Sequence, residues 1–170
     1  MKNLSVIGIG RLGLCFSLTL EKAGYNVVGC DINSDYVNNI NDKSFFSHEP
    51  GVNKRLSESK NFNATTSIKD AVKHSNLLFV TVASYSEPNG SYDVSQVDSV
   101  VDNLKSLGVQ DTKKHLVICT NVNPGYSDTV YERLKDYNWE VSFNPETIAQ
   151  GTILKNQQEP DCVYVGSDSK

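Results

Sequence analysis

The sequence predicts an α/β protein: a doubly wound, mainly parallel sheet with helices on both faces, formed as one domain over residues 1–170. Three observations carry that expectation. Apolar runs of strand length alternate with amphipathic runs of helix length along the whole chain. Three strand runs, Leu77-Leu78-Phe79-Val80, Leu116-Val117-Ile118 and Val163-Tyr164-Val165, are apolar throughout, as strands covered on both faces are. A glycine-rich turn, Gly8-Ile9-Gly10-Arg11-Leu12-Gly13, joins the first strand run to the first helical run.

The elements follow in order. A strand over Leu4–Ile9 enters the glycine turn and a helix over Leu12–Ala23 leaves it. A second strand, Asn26–Cys30, ends just before Asp31. Helical runs are read over Asp35–Asn41, Val52–Ser59 and Ile68–Lys73, with Ser44–Gly51 as a loop punctuated by Pro50. Next come a strand over Leu77–Val82, a loop over Ser84–Gly90 and a helix over Val94–Leu107. The last shows Val94, Val97, Val101, Leu104 and Leu107 at i, i+3, i+7, i+10 and i+13, one helix face. A strand over His115–Thr120, a helix over Ser127–Tyr137 and strands over Glu140–Phe143 and Cys162–Val165 complete the pattern. Right-handed crossovers collect the loops after the strand C-termini along one edge. The residues that carry function are therefore expected in Gly8–Gly13, Thr81–Asp93, Thr120–Ser127 and Asn144–Gly151.

Composition narrows the partners. Hydrophobic residues make up 38% and charged residues 21%, which suits a packed globular domain. The net charge is −4 and no basic cluster occurs, so nucleic acid is not an expected partner. No apolar run approaches the roughly 20 residues that cross a bilayer, and no signal-peptide pattern opens the chain, so no membrane and a cytoplasmic location are expected. Cys15, Cys30, Cys119 and Cys162 lack metal-like spacing, and His48, His74 and His115 are scattered. The cysteines read as small apolar fillers in a reducing compartment, and no metal site is expected.

The glycine turn has a chemistry of its own. Gly8 allows the tight turn out of the strand, Gly10 lets the backbone approach a pyrophosphate, and Gly13 lets helix and strand pack closely. The helix N-terminus that begins with Arg11 and Leu12 offers free N–H groups and the positive end of its dipole. Asp31, eighteen residues after Gly13, is placed to accept hydrogen bonds from ribose hydroxyls. A carboxylate there repels a 2′-phosphate, and Ile32-Asn33-Ser34-Asp35-Tyr36 holds no Arg or Lys to bind one. The pattern therefore points to NAD rather than NADP as cofactor in a Rossmann-type βαβ unit.

Several loops taken together resemble the NAD-binding domain of the UDP-glucose/GDP-mannose dehydrogenase family. Glu49-Pro50-Gly51-Val52 resembles its E-P-G-L. Val80-Thr81-Val82-Ala83, followed by Asp93-Val94-Ser95-Gln96-Val97, resembles A-T-P-T and D-L-S-x-V. Thr120-Asn121-Val122-Asn123-Pro124-Gly125 resembles S-T-V-P-P-G. Asn144-Pro145-Glu146-Thr147-Ile148-Ala149-Gln150-Gly151 resembles N-P-E-F-L-x-E-G, and Pro160-Asp161 precedes the last apolar run as P-D does in the family.

The resemblance implies oxidation of a nucleotide-sugar primary alcohol to a carboxylate in two NAD-dependent steps. It makes Glu146 the catalytic glutamate, acting as a general base or positioning water. It places Thr81 near the nicotinamide end of the cofactor and makes Asn121 a further cofactor-binding residue, in a loop near the chemistry. Four positions depart from the family pattern: Tyr36 stands for a Lys or Arg, Val82 for a proline, Asn121 for a threonine and Gln150 for a glutamate. The family's cysteine nucleophile, lysine, asparagine and dimerisation helix lie in central and C-terminal domains beyond the stretch that Gly166–Lys170 matches. The isolated chain is accordingly expected to be inactive, to dimerise only with such domains, and to expose apolar surface where a further domain would meet it. Two other readings stay open: a stand-alone or degenerate NAD-binding module without catalysis, and another Rossmann dehydrogenase such as a β-hydroxyacid type.

Overall fold

The structure is a computed structural model and describes residues 2–167. Among the described residues seven strands form one sheet in the order β3-β2-β1-β4-β5-β6-β7. They are β1 (Asn3–Ile7), β2 (Asn26–Cys30), β3 (Phe62–Thr65), β4 (Leu77–Val80), β5 (Lys114–Ile118), β6 (Trp139–Phe143) and β7 (Gly166–Ser167). The first six run parallel, and β7 pairs antiparallel with the end of β6. The chain winds outward from β1 to β3, then returns to lay β4 on the other side of β1. That reversal opens a crevice above the C-terminal ends of β1 and β4, where loops leave in opposite directions.

Helices α1 (Arg11–Lys22), α2 (Ser34–Asn41), α3 (Val52–Glu58) and α7 (Ile153–Gln158) belong to one face. Helices α4 (Ile68–His74), α5 (Ser95–Ser106) and α6 (Tyr126–Leu134) belong to the other. Each face has its own core. On the first, Leu14 and Leu18 of α1 pack with Val6, Val27 and Leu56. On the second, Val97, Val101 and Leu104 of α5 pack with Val80, Leu116 and Trp139. The α5 residues are among those that the sequence spacing put on one face, and all three are fully buried.

Three elements differ from the sequence expectation, each for a physical reason. β3 was not expected, because Phe62-Asn63-Ala64-Thr65 is too short and too polar to read as a parallel strand; as an edge strand it buries only Phe62 and Ala64. α7 was not expected either. It has only six residues, and it holds because Ile153 and Leu154 are buried against the α1 face. The run Cys162–Val165 was expected as a covered strand and is not one. Val163, Tyr164 and Val165 are 63%, 59% and 65% exposed, and only Gly166 and Ser167 pair with β6. An apolar run signals burial, yet among the described residues nothing covers this one.

Buried charges serve the framework. Lys114 donates from Nζ to the Val72 and Ser75 carbonyls, closing the C-terminal end of α4. Burial holds its pKa below the usual lysine value. Glu49, only 5% exposed, accepts the backbone N–H groups of Gly151 and Ile153 at 2.9 and 2.8 Å. This carboxylate caps the start of α7 from a loop a hundred residues upstream in sequence and fixes the end of the Asn144–Gly151 loop. Glu49→Ala, which strands two N–H groups, should destabilise the fold by about 3 kcal/mol in urea unfolding.

Candidate functional site

The crevice over β1 and β4 is a cleft of about 710 Å³. Its walls are the glycine turn, Asp31 and Ile32 after β2, Val82 and Ala83 after β4, and one face of α5. The three turn glycines are there for different reasons. Gly8 has φ +86°, and a Cβ on it would sit 2.8 Å from the Val82 nitrogen. A Cβ on Gly13 would come 2.1 Å from the Gly8 carbonyl oxygen. The protein's own packing therefore requires both. Gly10 is different: its φ is −58°, which any residue adopts, and a Cβ there would meet nothing within 4 Å. The space it leaves is open, at the mouth of α1. No side chain caps α1, so its first N–H groups remain available to an anion.

Gly8, Gly10, Arg11, Leu12, Asp31 and Thr81 all line this one cleft, with Gly13 buried beneath it. Asp31 is steadied by the Asn33 N–H, which donates to Oδ1 at 3.1 Å. Among the described residues Arg11 is the only cation lining the cleft. The site thus presents a carboxylate for ribose hydroxyls and dipole and guanidinium charge for phosphates, which suits NAD. Thr81 is placed in the wall, but its hydroxyl donates to the Gly8 carbonyl at 2.6 Å and holds the turn.

Asn121 and Glu146 stand apart from this cleft. Asn121 is exposed in the loop after β5. Glu146 lines a second cavity of about 340 Å³, together with Phe16, Asn144, Gln157 and Cys162. Burial of the Glu146 carboxyl raises its pKa above the ordinary glutamate value. The separation follows from topology: these loops leave β5 and β6, on the far side of the switch point from Asp31.

Some roles were not seen in the sequence. Gln96, Ser99 and Asn103 of α5 line the cleft, and Gln96 accepts the Ala83 N–H at 3.2 Å. Their i, i+3, i+7 spacing, offset from the apolar face, was the available signal. Tyr36 does not point to solvent as a ribose-reaching cation would. Its hydroxyl donates to the Ile9 carbonyl at 2.7 Å and its ring meets Phe45 edge-on, so it ties α2 to the glycine turn. Val82 packs where Gly8 leaves room for it.

The cysteines divide by burial. Cys15, Cys30 and Cys119 are buried, while Cys162 is exposed. Burial pushes the Cys15 thiol up to about 12 and the Cys30 thiol up to about 11, and raises that of Cys119 as well. None of these three is a thiolate near neutrality. No group of three potential metal ligands occurs among the described residues, and none of their helices is long and apolar enough to cross a membrane.

Fold and cleft together define an NAD-binding Rossmann domain. The sequence matches the UDP-glucose/GDP-mannose dehydrogenase family, NAD binding domain, over residues 2–170, and the chain belongs to that family. It is 32% identical over 169 residues to an uncharacterized protein of Methanocaldococcus jannaschii, covering 98% of this chain and 19% of that one. It is also 32% identical over 175 residues to a UDP-N-acetyl-D-mannosamine dehydrogenase of Methanococcus maripaludis, covering 100% of this chain and 40% of that one. The crystal structure of a ternary complex of GDP-mannose dehydrogenase from Pseudomonas aeruginosa superposes with a TM-score of 0.88 at 24% identity, over 96% of this chain and 40% of that one. The chain therefore spans well under half the length of these relatives. Family membership also sets aside the β-hydroxyacid-type reading.

Three outcomes are expected. Gly10→Ala should leave the thermal transition in place and weaken NADH binding about tenfold or more in calorimetric titration. Gly13→Ala, by contrast, should cost the fold several kcal/mol. In thiol labelling of the native protein, Cys162 alone should react quickly, with Cys15, Cys30 and Cys119 following only on unfolding.

Proposed function

We propose that this domain is the cofactor-holding part of a nucleotide-sugar 6-dehydrogenase, which oxidises the primary alcohol of a UDP-glucose-like substrate to a carboxylate in two steps. The single observation that carries the cofactor half is Gly10. Its φ lies outside the left-handed region and a Cβ there would meet nothing within 4 Å, so the missing side chain is explained by what approaches from the cleft. Bound NAD supplies the hydride acceptor. Asp31 holds the ribose hydroxyls and excludes a 2′-phosphate, and the α1 N-terminus with Arg11 neutralises the pyrophosphate.

Glu146 is the proton acceptor in this reading. Its carboxyl is partly desolvated, which raises its proton affinity toward the range useful for a general base. The aldehyde-to-acid step needs a thiolate to add to the carbonyl before hydride can leave. The three buried thiols do not meet that need. Cys162, exposed in the same cavity as Glu146, matches no nucleophile motif of the family, and the reading assigns the nucleophile, and the contacts of a homodimer, to a further domain. The exposed run Val163-Tyr164-Val165 supports a surface built to be covered.

The experiment is a titration of the 170-residue chain with NADH and NADPH, followed by an assay with UDP-glucose. NADH binding that is lost in Asp31→Ala, weaker NADPH binding and no turnover are expected. Turnover by this chain would remove the need for a second domain, and unchanged binding by Asp31→Ala would remove Asp31 from the site. The raised pKa of Glu146 has a sign for stability. The folded state binds that proton more tightly than the unfolded chain, so the contribution is present in acid and is lost as pH rises through the folded value. Glu146→Gln should therefore raise the melting temperature relative to wild type at neutral pH, with the advantage fading below the ordinary glutamate range.

A further inference from the structure

The loop that carries Glu146 reaches back to the phosphate end of the cleft. Arg11, the first residue of α1, donates from Nη1 to Oε1 of Gln150. Gln150 is exposed and does not line the cleft, but its position is not free. The next residue, Gly151, has φ +92° and gives its N–H to the buried Glu49 carboxylate, which also holds Ile153. A buried anchor thus fixes the backbone beside Gln150, and Gln150 fixes the guanidinium.

The chemistry of that acceptor matters. An amide oxygen takes one of the five N–H donors of a guanidinium and leaves its charge uncompensated. A carboxylate in the same place would take the guanidinium as a two-pronged ion pair and would set a negative charge beside the phosphates. Arg11 is the cation of the cleft, so its net charge is what the diphosphate meets.

We propose that Gln150 is a positioning residue for the cofactor pyrophosphate: it holds Arg11 at the mouth of α1 through a neutral hydrogen bond and so preserves the guanidinium charge for the phosphates. This rests on the reading of the cleft as an NAD site. It also makes the Glu146 loop and the phosphate turn parts of one hydrogen-bonded assembly, running from Glu49 through Gly151 and Gln150 to Arg11.

The test compares wild type, Gln150→Glu and Gln150→Ala with three probes: NADH, ADP-ribose and adenosine. Binding is measured at about 0.05 M and about 0.5 M salt. Gln150→Glu should weaken NADH and ADP-ribose about fivefold at low salt, with most of the loss recovered at high salt. Adenosine, which has no phosphate, should bind all three proteins alike. Gln150→Ala should show a smaller loss that salt does not change, because it frees Arg11 without adding charge. The proposal is overturned if Gln150→Glu binds NADH as wild type does, if its loss is the same for adenosine, or if that loss ignores salt. Failure of wild type itself to bind NADH would overturn the cofactor reading and this proposal with it. Normal wild-type binding with an unaffected Gln150→Glu would overturn this proposal alone.

Discussion

Gly13 lies closer to its neighbours than any side chain would allow. The space where a Cβ would stand is taken by the Gly8 carbonyl and the Thr81 hydroxyl, which are themselves hydrogen-bonded to each other. This close approach brings the first turn of α1 against the end of β1 and pins both to the end of β4. The cleft is a consequence of it. The α1 N-terminus faces the crevice because α1 starts immediately at the turn. The left-handed Gly8 in turn leaves the room that Val82 occupies. A bulkier packing would push α1 outward and carry its N-terminus away from the cleft.

Around this point the fold separates what needs rigidity from what needs chemistry. The polar groups that close the framework are satisfied: the buried Lys114 on the end of α4, the buried Glu49 on the start of α7, and the half-buried Tyr36 hydroxyl on the Ile9 carbonyl. The groups with free capacity lie along the C-terminal edge of the sheet. There Asp31, Arg11 and the α1 N-terminus share one cleft and Glu146 has a smaller one. The two belong to opposite halves of the doubly wound sheet, and the hydrogen bond between Arg11 and Gln150 joins them.

Much of this was legible in the sequence because its causes are local. The glycine spacing, the apolar face of α5 and the alternation of strand and helix depend on neighbours within a few turns of chain, so the parallel sheet and the glycine turn that lines the cleft could be read directly. The misreadings also have a common cause. β3 and α7 are short and owe their stability to what lies across from them, and Val163-Tyr164-Val165 carries the composition of a covered strand without a cover. Thr81 lies in the cleft wall, but nothing in the sequence indicates that its hydroxyl faces the Gly8 carbonyl.

The sequence by itself determined the class of fold, the glycine turn and its acid, and the preference for a cofactor without a 2′-phosphate, since each depends on residue type and spacing. Only the tertiary structure decided which glycines the packing requires, Gly8 and Gly13, and which it does not, Gly10. It alone also decided that Tyr36 anchors the turn, that Glu49 caps a helix, and that Glu146 sits outside the main cleft. Those outcomes depend on contacts between segments tens to about a hundred residues apart, such as Glu49 with Gly151 and Arg11 with Gln150. Local pattern carries no information about such pairs, because they form only when the sheet brings its loops to one edge.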